Sequence, residues 1–320
     1  MKTLVTGGAG FIGSNFVRMF VEGRFPAISS VTVVDKLTYA GNLNNFSGLP
    51  DISFKFVKGD IADVKLIDEL TPHFDAIINF AAESHVDRSI EDSRTFVDTN
   101  ITGTHTLLDS LRKHKDIIFI QISTDEVYGS ITSGSWKEDH ALLPNSPYAA
   151  SKASADLLVR AYHQTYGLDT RITRCSNNFG PRQYPEKIIP LFITNLLEGK
   201  SLPVYGMGNN SREWLYVEDH CYAIYKVLVG GKSGEIYNIG SGKEMSNLQL
   251  AKKILNEMDQ SLDKIIFVKD RLGHDLRYSV DSSKILSELD FHPSIDWNTG
   301  IKRTIDWYVK NEQWWKVLKL

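Results

Sequence analysis

The turn at the start of the chain restricts the fold more than any other stretch of the sequence. Residues 2–6 are an apolar segment typical of a buried strand, and a glycine-rich run follows directly, Gly7-Gly8-Ala9-Gly10-Phe11-Ile12-Gly13. The apolar spacing of the next residues predicts a helix. Glycines at this spacing let the backbone turn sharply and approach a pyrophosphate, which the first amides of the helix bind. A plain tight turn is the alternative, but the flanking strand and helix favour a dinucleotide site built by Gly7, Gly10, Phe11, Ile12 and Gly13.

Strands and helices alternate through the first half of the chain. Further β-rich segments occur at residues 31–35, 54–58, 75–82, 117–123 and 170–175, and most are separated by helical patterns such as 93–114 and 148–166. This alternation predicts an α/β protein with a Rossmann-type, doubly wound parallel sheet. After residue 176 the sequence becomes polar and irregular, which indicates a smaller C-terminal α/β domain for the substrate. The predicted boundaries are 1–176 plus about 213–240 for the dinucleotide domain, and about 177–212 plus 241–320 for the substrate domain.

Acidic residues follow the second and third predicted strands. Asp35 lies 22 residues after Gly13, where a carboxylate is expected to meet the adenosine ribose and to repel a 2′-phosphate. NAD is therefore expected rather than NADP, although the positive charge of the neighbouring Lys36 leaves some room for NADP. The alternative is that Asp35 is an ordinary aspartate at the end of a strand. Asp60 can reach the adenine amino group or cap the next helix. After the fourth strand, Ala81 and Ala82 are small enough for a cofactor to lie close to the backbone.

Composition narrows the class of protein. The 320 residues carry a net charge of −3, so no basic surface for nucleic acid or an anionic membrane is expected. The apolar runs are shorter than the ~18 residues of a membrane span. The nine histidines and the two cysteines, Cys175 and Cys221, show no metal-ligand spacing. We therefore expect no metal site. Because the predicted strand at residue 2 leaves no space for a signal peptide, we also expect a cytoplasmic protein.

A second group of polar residues lies between positions 123 and 152. Thr124, Asp125 and Glu126 follow a predicted strand, at the sheet edge where ligands bind in open α/β proteins. Tyr148 and Lys152 stand four residues apart in a helical segment, so their side chains share one face. A free tyrosine has a pKa near ~10, and roughly 4 kcal/mol of stabilisation by lysine and nicotinamide charges would bring it to neutrality.

These five residues together predict acid–base chemistry at one site. Tyr148 is the expected base that takes a proton from an alcohol while hydride leaves its carbon. Asp125 and Glu126 supply a second acid–base pair beside it. The alternative is that Tyr148 and Lys152 are a pair on a helix surface and that Asp125 and Glu126 lie in a solvated loop. Either motif taken alone would favour this alternative. Their position after a dinucleotide-binding turn favours the catalytic interpretation.

The second part of the chain offers isolated polar candidates. Each is by itself more typical of a surface or capping residue than of a ligand contact. As a group they suit a nucleotide, since Arg and Lys bind phosphates and Tyr stacks on a base. The candidates are Asn177, Lys187, Tyr205, Arg212, Asn247, Arg271 and His274.

Over essentially its whole length, the chain resembles the extended short-chain dehydrogenase/reductases that act on sugar nucleotides. The glycine run and Tyr148-x-x-x-Lys152 are common to that superfamily, including its epimerases. The pair Asp125-Glu126 after Thr124 is similar to the 4,6-dehydratases within it and differs from the epimerases. Further runs resemble the same dehydratases: Asp35-Lys36-Leu37-Thr38-Tyr39-Ala40-Gly41-Asn42, Ala81-Ala82-Glu83-Ser84-His85-Val86-Asp87-Arg88-Ser89, Cys175-Ser176-Asn177-Asn178-Phe179-Gly180-Pro181, Glu213-Trp214-Leu215-Tyr216-Val217-Glu218-Asp219-His220 and Gly273-His274-Asp275.

The resemblance implies a dehydration that uses tightly bound NAD. Tyr148, assisted by Lys152 and Thr124, would take the C4 hydroxyl proton of a dTDP-linked glucose while hydride passes from C4 to NAD. Glu126 would then remove the C5 hydrogen while Asp125 protonates the departing C6 hydroxyl. Hydride returned to C6 would complete a hydro-lyase reaction that supplies a deoxysugar nucleotide, for example on the way to rhamnose.

The resemblance also implies two sets of contacts, residue by residue. Departures from the usual pattern, Ser241 after Gly240 and Leu272 before Gly273, fall outside the catalytic set. The cofactor set is Gly7, Gly10, Phe11, Ile12, Gly13, Asp35, Lys36, Leu37, Thr38, Asp60, Ile61, Phe80, Ala81, Ala82, Ser84, Thr99, Tyr148, Lys152 and Asn178. The substrate set is Ser84, Thr124, Asn177, Glu186, Lys187, Pro203, Tyr205, Arg212, Asn247, Arg271 and His274.

Three alternatives stay open at this point. A UDP-linked glucose is a possible substrate, because a few contacts decide which base is bound. A 4-epimerase shares the redox residues, and an NAD-sensing scaffold shares the fold, which does not by itself define function. The resemblance further implies a homodimer formed through two long helices, at about residues 93–114 and 148–166.

Overall fold

The structure of the protein is a computed structural model that describes residues 1–50 and 53–319, so the end of the predicted substrate domain, Leu320, lies outside it. Its strands alternate with helices from the first residues onward. In chain order the strands are β1 (Lys2–Thr6), β2 (Ser30–Asp35), β3 (Lys55–Lys58), β4 (Ala76–Asn79), β5 (Ile118–Thr124), β6 (Thr170–Cys175), β7 (Asn177–Phe179), β8 (Leu202–Tyr205), β9 (Ser211–Tyr216), β10 (Ile236–Ile239), β11 (Glu244–Ser246) and β12 (Ile265–Val268).

The helices connect these strands and cover both faces of the main sheet. In chain order they are α1 (Phe11–Val21), α2 (Val64–Leu70), α3 (Val86–Glu91), α4 (Arg94–Phe96), α5 (Thr104–Leu111), α6 (Pro147–Tyr166), α7 (Ile188–Leu197), α8 (Val217–Gly230), α9 (Asn247–Glu257), α10 (Ser283–Leu289), α11 (Trp297–Lys310) and α12 (Glu312–Lys316). A π-helical segment, Val97–Gly103, joins α4 to α5, and a 3₁₀ turn, Asp125–Tyr128, follows β5. Within the described chain, no helix combines the length and apolar character that crossing a membrane requires.

Seven parallel strands form the main sheet, in the order β10-β6-β5-β4-β1-β2-β3. The predicted doubly wound parallel sheet is therefore confirmed. The chain leaves β1 toward β2 on one side and β4 lies on the other, so the strand order reverses between β1 and β4. Ligands of such sheets bind in the crevice outside the carboxyl ends of the strands at this reversal.

Alternate residues of the central strands pack into two hydrophobic layers. Val5 and Val33 pack with α1 and α8 on one face of the sheet. Leu4 and Val34 pack with α2, α5 and α6 on the other. Because both faces are covered, these strands are apolar along their whole length, which is why the sequence pattern predicts them well.

Two small sheets in the second half of the chain were not predicted. One has the order β11-β9-β7 and the other pairs β12 with β8. A separate hydrophobic cluster, which includes Phe192, Leu250 and Trp315, packs beside them. Their strands are short, and those of the first sheet carry charged or polar residues, as in β9 with Arg212 and Glu213. Pairing with distant segments therefore defines that sheet rather than local pattern. Within the predicted irregular stretch after Cys175, residues Asn177–Phe179 form β7.

Candidate active site

A crevice of about 280 Å³ runs along the carboxyl ends of the central strands, at the reversal between β1 and β4. Every residue of the predicted cofactor set except Leu37 lines this crevice, and so do Thr124, Asp125 and Glu126. The substrate candidates Asn177, Glu186 and Lys187 line it too. Residues that the sequence places far apart therefore meet at one sheet edge.

The glycine-rich turn packs directly against the chain that leaves β4. Gly7 has a φ of +64°, and a Cβ atom added there would lie 2.5 Å from the backbone of Ala81. A Cβ at Gly13 would lie 2.5 Å from the Gly7 carbonyl oxygen. Helix α1 begins at Phe11, so its free amides and the positive end of its dipole lie beside the crevice. This cradle suits a pyrophosphate group, because it keeps the backbone open and the amides available.

Asp35 is fixed at the end of β2 by two backbone amides. Its Oδ2 accepts a hydrogen bond from Ala9 N at 2.9 Å, and its Oδ1 accepts one from Leu37 N at 2.8 Å. Burial raises the pKa of this carboxyl group, and the two amides act in the opposite direction. Leu37 adopts a left-handed φ of 57°, a rare conformation for a leucine, and the hydrogen bond to Asp35 accompanies it.

Lys36 does not neutralise Asp35, because its side chain pairs with Asp60 at 2.7 Å. Although burial acts against it, this ion pair together with the amide of Ala62 lowers the pKa of Asp60. The cap of α2 is Asp63, whose Oδ1 accepts hydrogen bonds from two helix amides. Asp60 is therefore not the helix cap, and its side chain lines the crevice.

Tyr148 and Lys152 lie on the buried face of α6, in its first two turns. Ser146 caps this helix, its Oγ accepting a hydrogen bond from Ala149 N at 3.1 Å. Both side chains are buried, with exposures of 8% and 4%. Lys152 Nζ donates to the Ile122 carbonyl oxygen at 2.6 Å, and burial lowers its pKa.

The expected lowering of the Tyr148 pKa by Lys152 is not found in the protein alone. Burial, followed by the nearby Glu126, Cys175 and Asp125, raises the pKa of Tyr148 well above 10, and the Thr124 hydroxyl opposes this shift. Positive charge from a bound ligand would favour the phenolate in this position, and the cationic ring of an oxidised nicotinamide would supply such charge.

The acid pair stands on the 3₁₀ turn that follows β5. The Thr124 hydroxyl accepts from Glu126 N at 3.3 Å and donates to Asp125 Oδ1 at 3.1 Å. Asp125 is buried, with an exposure of 1%, and within the described residues its Oδ2 has no hydrogen-bond partner. The interpretation as a solvated loop is therefore wrong for this residue.

The two acids have different electrostatic surroundings. Burial and the neighbouring Glu126 and Glu213 raise the pKa of Asp125 well above its usual value, which favours the protonated acid. Burial also raises the pKa of Glu126, but Arg271 and Arg212 oppose the shift. Arg212 opposes the shift of Asp125 as well, so the contrast comes from Glu126 and Glu213 beside Asp125 and from Arg271 beside Glu126. These surroundings suit Asp125 as a proton donor and Glu126 as a base.

The remaining substrate candidates are divided between the crevice and its border. At the crevice, Lys187 Nζ donates to the Ser84 carbonyl oxygen at 2.7 Å. Glu186 accepts from the Tyr39 hydroxyl at 3.0 Å and from Arg88 Nε at 3.1 Å. The others do not line the crevice: Pro203, Tyr205, Arg212, Asn247, Arg271 and His274.

Two of those outer candidates, Arg212 and Asn247, are buried and are not simple surface residues. Arg212 is 5% exposed and Asn247 6% exposed. The Arg212 guanidinium donates to the Asp275 carbonyl oxygen at 2.9 Å and stacks on the Tyr278 ring at 4.4 Å. Tyr205 OH and Arg271 Nη1 approach the Asp87 carboxylate at 3.5 and 3.9 Å, which ties this region to α3 beside the crevice.

Several crevice residues were missed from the sequence. Glu83 follows β4, and Asn100 binds its backbone through both amide atoms, at 2.9 and 3.1 Å. Some of the missed residues, such as Gly59 and Ser176, directly follow a strand of the main sheet, which is a signal that the sequence could have given. The crevice residues not in either predicted set are Val34, Ala40, Gly41, Gly59, Glu83, Ile122, Ser123, Cys175, Ser176, Gln183 and Tyr184.

Comparison with known proteins identifies the class. A model of the GDP-mannose 4,6 dehydratase family matches residues 4–304, and the chain belongs to this family. The resemblance noted in the sequence is confirmed.

Particular relatives narrow the class further. The chain is 52% identical to a dTDP-glucose 4,6-dehydratase of Streptomyces niveus, over 100% of this chain and 96% of the relative. It is 53% identical to another of the same name from Actinoplanes sp., over 98% of this chain and 100% of the relative. The crystal structure of DesIV, a dTDP-glucose 4,6-dehydratase from Streptomyces venezuelae with NAD and dTDP bound, aligns with a TM-score of 0.97 and 52% identity, over 99% of this chain and 100% of that one.

Proposed function

We propose that this chain converts dTDP-glucose into dTDP-4-dehydro-6-deoxy-glucose and water, with NAD as its cofactor, and is therefore a hydro-lyase. One observation carries the proposal: the Asp125–Glu126 turn opens onto the same crevice as Tyr148 and Lys152. Redox residues alone suit a 4-epimerase equally well. An adjacent acid and base, differently tuned, suit the elimination of water.

The crevice fits NAD. The backbone cradle at Gly7 and Gly13 suits the pyrophosphate, and Asp35 keeps a buried carboxylate for the adenosine ribose. When bound, NAD supplies the hydride acceptor at sugar C4 and the hydride donor at C6. The proposed contacts are those of the predicted cofactor set that line the crevice.

The protein residues move protons around that hydride exchange. Tyr148 takes the proton of the C4 hydroxyl, and Thr124 holds the same oxygen by a hydrogen bond. The resulting ketone acidifies the C5 hydrogen, which Glu126 removes. Asp125 protonates the C6 hydroxyl, which leaves as water, and C5 regains a proton when hydride returns to C6. Lys152 holds the nicotinamide ribose and contributes positive charge near the phenol.

Incubation of the purified chain with dTDP-glucose and, separately, UDP-glucose tests this proposal. We expect a 4-keto-6-deoxy product from dTDP-glucose, with solvent deuterium incorporated at C5. An epimerised sugar without deuterium at C5 would instead indicate a 4-epimerase. Preferred turnover of UDP-glucose would show that the substrate carries uracil rather than thymine. Absence of any product with NAD bound would contradict the proposed enzymatic activity.

Replacement of Gly7 by Ala tests the cofactor cradle. The added Cβ meets backbone atoms of Ala81 at 2.5 Å, so we expect strong loss of NAD binding, measured by fluorescence titration. Gly23→Ala is the matched control, because Gly23 also has positive φ, +76°, yet its Cβ would meet nothing within 4 Å in the described residues. Both variants share the left-handed strain of about 1–2 kcal/mol. Equal NAD affinity in the two variants would contradict the proposed cradle.

We propose the same two-part organisation that the sequence indicates, with residues 1–176 plus about 213–240 for NAD and about 177–212 plus 241–320 for the sugar nucleotide. We also propose a cytoplasmic homodimer. Both cysteines, Cys175 and Cys221, are free and buried, which suits a reducing compartment. The exposed apolar side chains Val97 and Leu157 suit a dimer contact through the two long helical segments. Light scattering measures the mass in solution.

A further inference from the structure

A buried polar network lies on the far side of the catalytic residues from the crevice. Tyr148, Lys152 and Asp156 recur at intervals of four along α6, so they share one face of the helix. Asp156 is 1% exposed, and its Oδ2 accepts from Arg174 Nε on β6 at 2.9 Å. This ion pair ties the helix that carries the redox residues to the main sheet.

The same arginine reaches the turn that carries the acid pair. Arg174 is 3% exposed, and its Nη1 donates to the Tyr128 hydroxyl at 2.8 Å. Its guanidinium carbon also lies 4.8 Å from the centre of the Tyr128 ring. Tyr128 is the last residue of the 3₁₀ turn that begins with Asp125.

Tyr128 is held at a second point by the outermost strand of the sheet. Its hydroxyl donates to Asn238 Oδ1 on β10 at 2.8 Å, and Asn238 Nδ2 donates to the Trp136 carbonyl oxygen at 2.9 Å. Burial raises the pKa of Tyr128 to about 12, so the phenol keeps the proton that this hydrogen bond requires. Tyr128 is fully buried, and the glycine that follows it, Gly129, closes the turn with a φ of 78°.

We infer that Asp156, Arg174 and Tyr128 form a positioning network that fixes the elimination residues relative to the oxidation residues; this inference rests on the proposed function. None of the three lines the crevice, so they act through other residues. A buried ion pair is costly to desolvate and contributes little to stability by itself, which favours a role in geometry. The network runs from the face of Tyr148 and Lys152 to the turn of Asp125 and Glu126 without crossing the substrate site.

Tyr128→Phe tests the inference, because it removes one hydroxyl and keeps the ring. Oxidation at C4 depends on α6, whereas elimination depends on the turn that loses its anchor. We expect elimination to slow by about tenfold or more, as for catalytic groups that shift slightly from their productive positions. Oxidation at C4 and KM for dTDP-glucose should change little. Reduced nicotinamide should therefore accumulate during turnover, which its absorbance measures directly.

Tyr237→Phe is the matched control. Tyr237 is a neighbour of Asn238 on β10, is fully buried, and hydrogen bonds to Lys232 N and Glu288 away from the crevice. A purely structural effect of losing a buried tyrosine hydroxyl should appear in both variants as a lower unfolding temperature. Only Tyr128→Phe should change the fraction of reduced nicotinamide.

Two results would overturn the inference. One is an unchanged fraction of reduced nicotinamide in Tyr128→Phe, and the other is equal slowing of oxidation and elimination. If Tyr128→Phe does not fold, Arg174→Lys serves instead, since it keeps the positive charge opposite Asp156 but shortens the reach to Tyr128, and the same expectations apply. Product formation by the unaltered chain is measured in parallel, so failure of the proposed function is distinguished from failure of the network.

Discussion

Replacement of Tyr148 by Phe is expected to reduce turnover of dTDP-glucose by about 10²- to 10⁴-fold, the usual contribution of a general acid–base residue. The phenol is the proposed acceptor of the C4 hydroxyl proton, and oxidation at C4 precedes every later step. The loss should therefore appear in single-turnover experiments as a failure to reduce bound NAD. Substrate affinity should change little, because the variant keeps the buried ring.

Tyr162→Phe is the control for this prediction. Tyr162 lies on the same helix, α6, but its ring packs edge-on against His105 and does not line the crevice. We expect the Tyr162→Phe variant to reduce bound NAD at the rate of the unaltered chain. Normal NAD reduction by Tyr148→Phe would exclude Tyr148 as the base. Absence of NAD reduction by the unaltered chain would instead favour the NAD-sensing scaffold.

Replacement of Glu126 by Gln is the second large effect. Glutamine keeps the size and hydrogen-bonding capacity of the side chain but cannot accept the C5 proton. We expect C4 oxidation to persist while elimination slows by about 10²- to 10⁴-fold. Reduced nicotinamide and the 4-keto hexose should accumulate, and the exchange of C5 hydrogen with solvent deuterium should nearly stop. Failure of oxidation to the same degree would contradict the role proposed for Glu126.

The pH profile gives an independent measurement of the acid pair. Glu126 must be ionised, so elimination should fall as the pH drops through its pKa, which burial raises above the usual value. Asp125 must be protonated, so elimination should fall again as the pH rises through its pKa, which burial and the charges of Glu126 and Glu213 raise well above the usual value. Glu126→Gln should remove the acid limb of this profile, and Asp125→Asn the alkaline limb. The exposed Glu22→Gln should leave both limbs in place.

The main sheet could be predicted because its strands are buried on both faces. β6, for example, spans residues 170–175, as predicted. The small sheets could not, because β7 and β11 are three residues long and obtain their order from partners far along the chain. The long helix expected at 93–114 begins at Arg94 and ends with Leu111, and its π-helical middle leaves no clear mark in the apolar pattern.

Parts of the candidate site followed from topology and others did not. Asp35, Thr124 and Tyr148 could be brought together because parallel strands end at one edge. Their titration could not be predicted, since the raised pKa of Tyr148 results from burial and from acids that only the folded chain brings near. The partner of Lys152 was also beyond sequence reasoning, because a backbone carbonyl, that of Ile122, leaves no mark in the sequence.

The outermost position of β10 has a consequence for folding during synthesis on the ribosome. β6 is synthesised well before β10, its neighbour in the sheet, so β6 remains an open edge until residues 236–239 leave the exit tunnel. Open edges of this kind invite pairing with other nascent chains. The same late strand brings Asn238, so the turn of Asp125 and Glu126 gains its last anchor only when most of the chain has been translated.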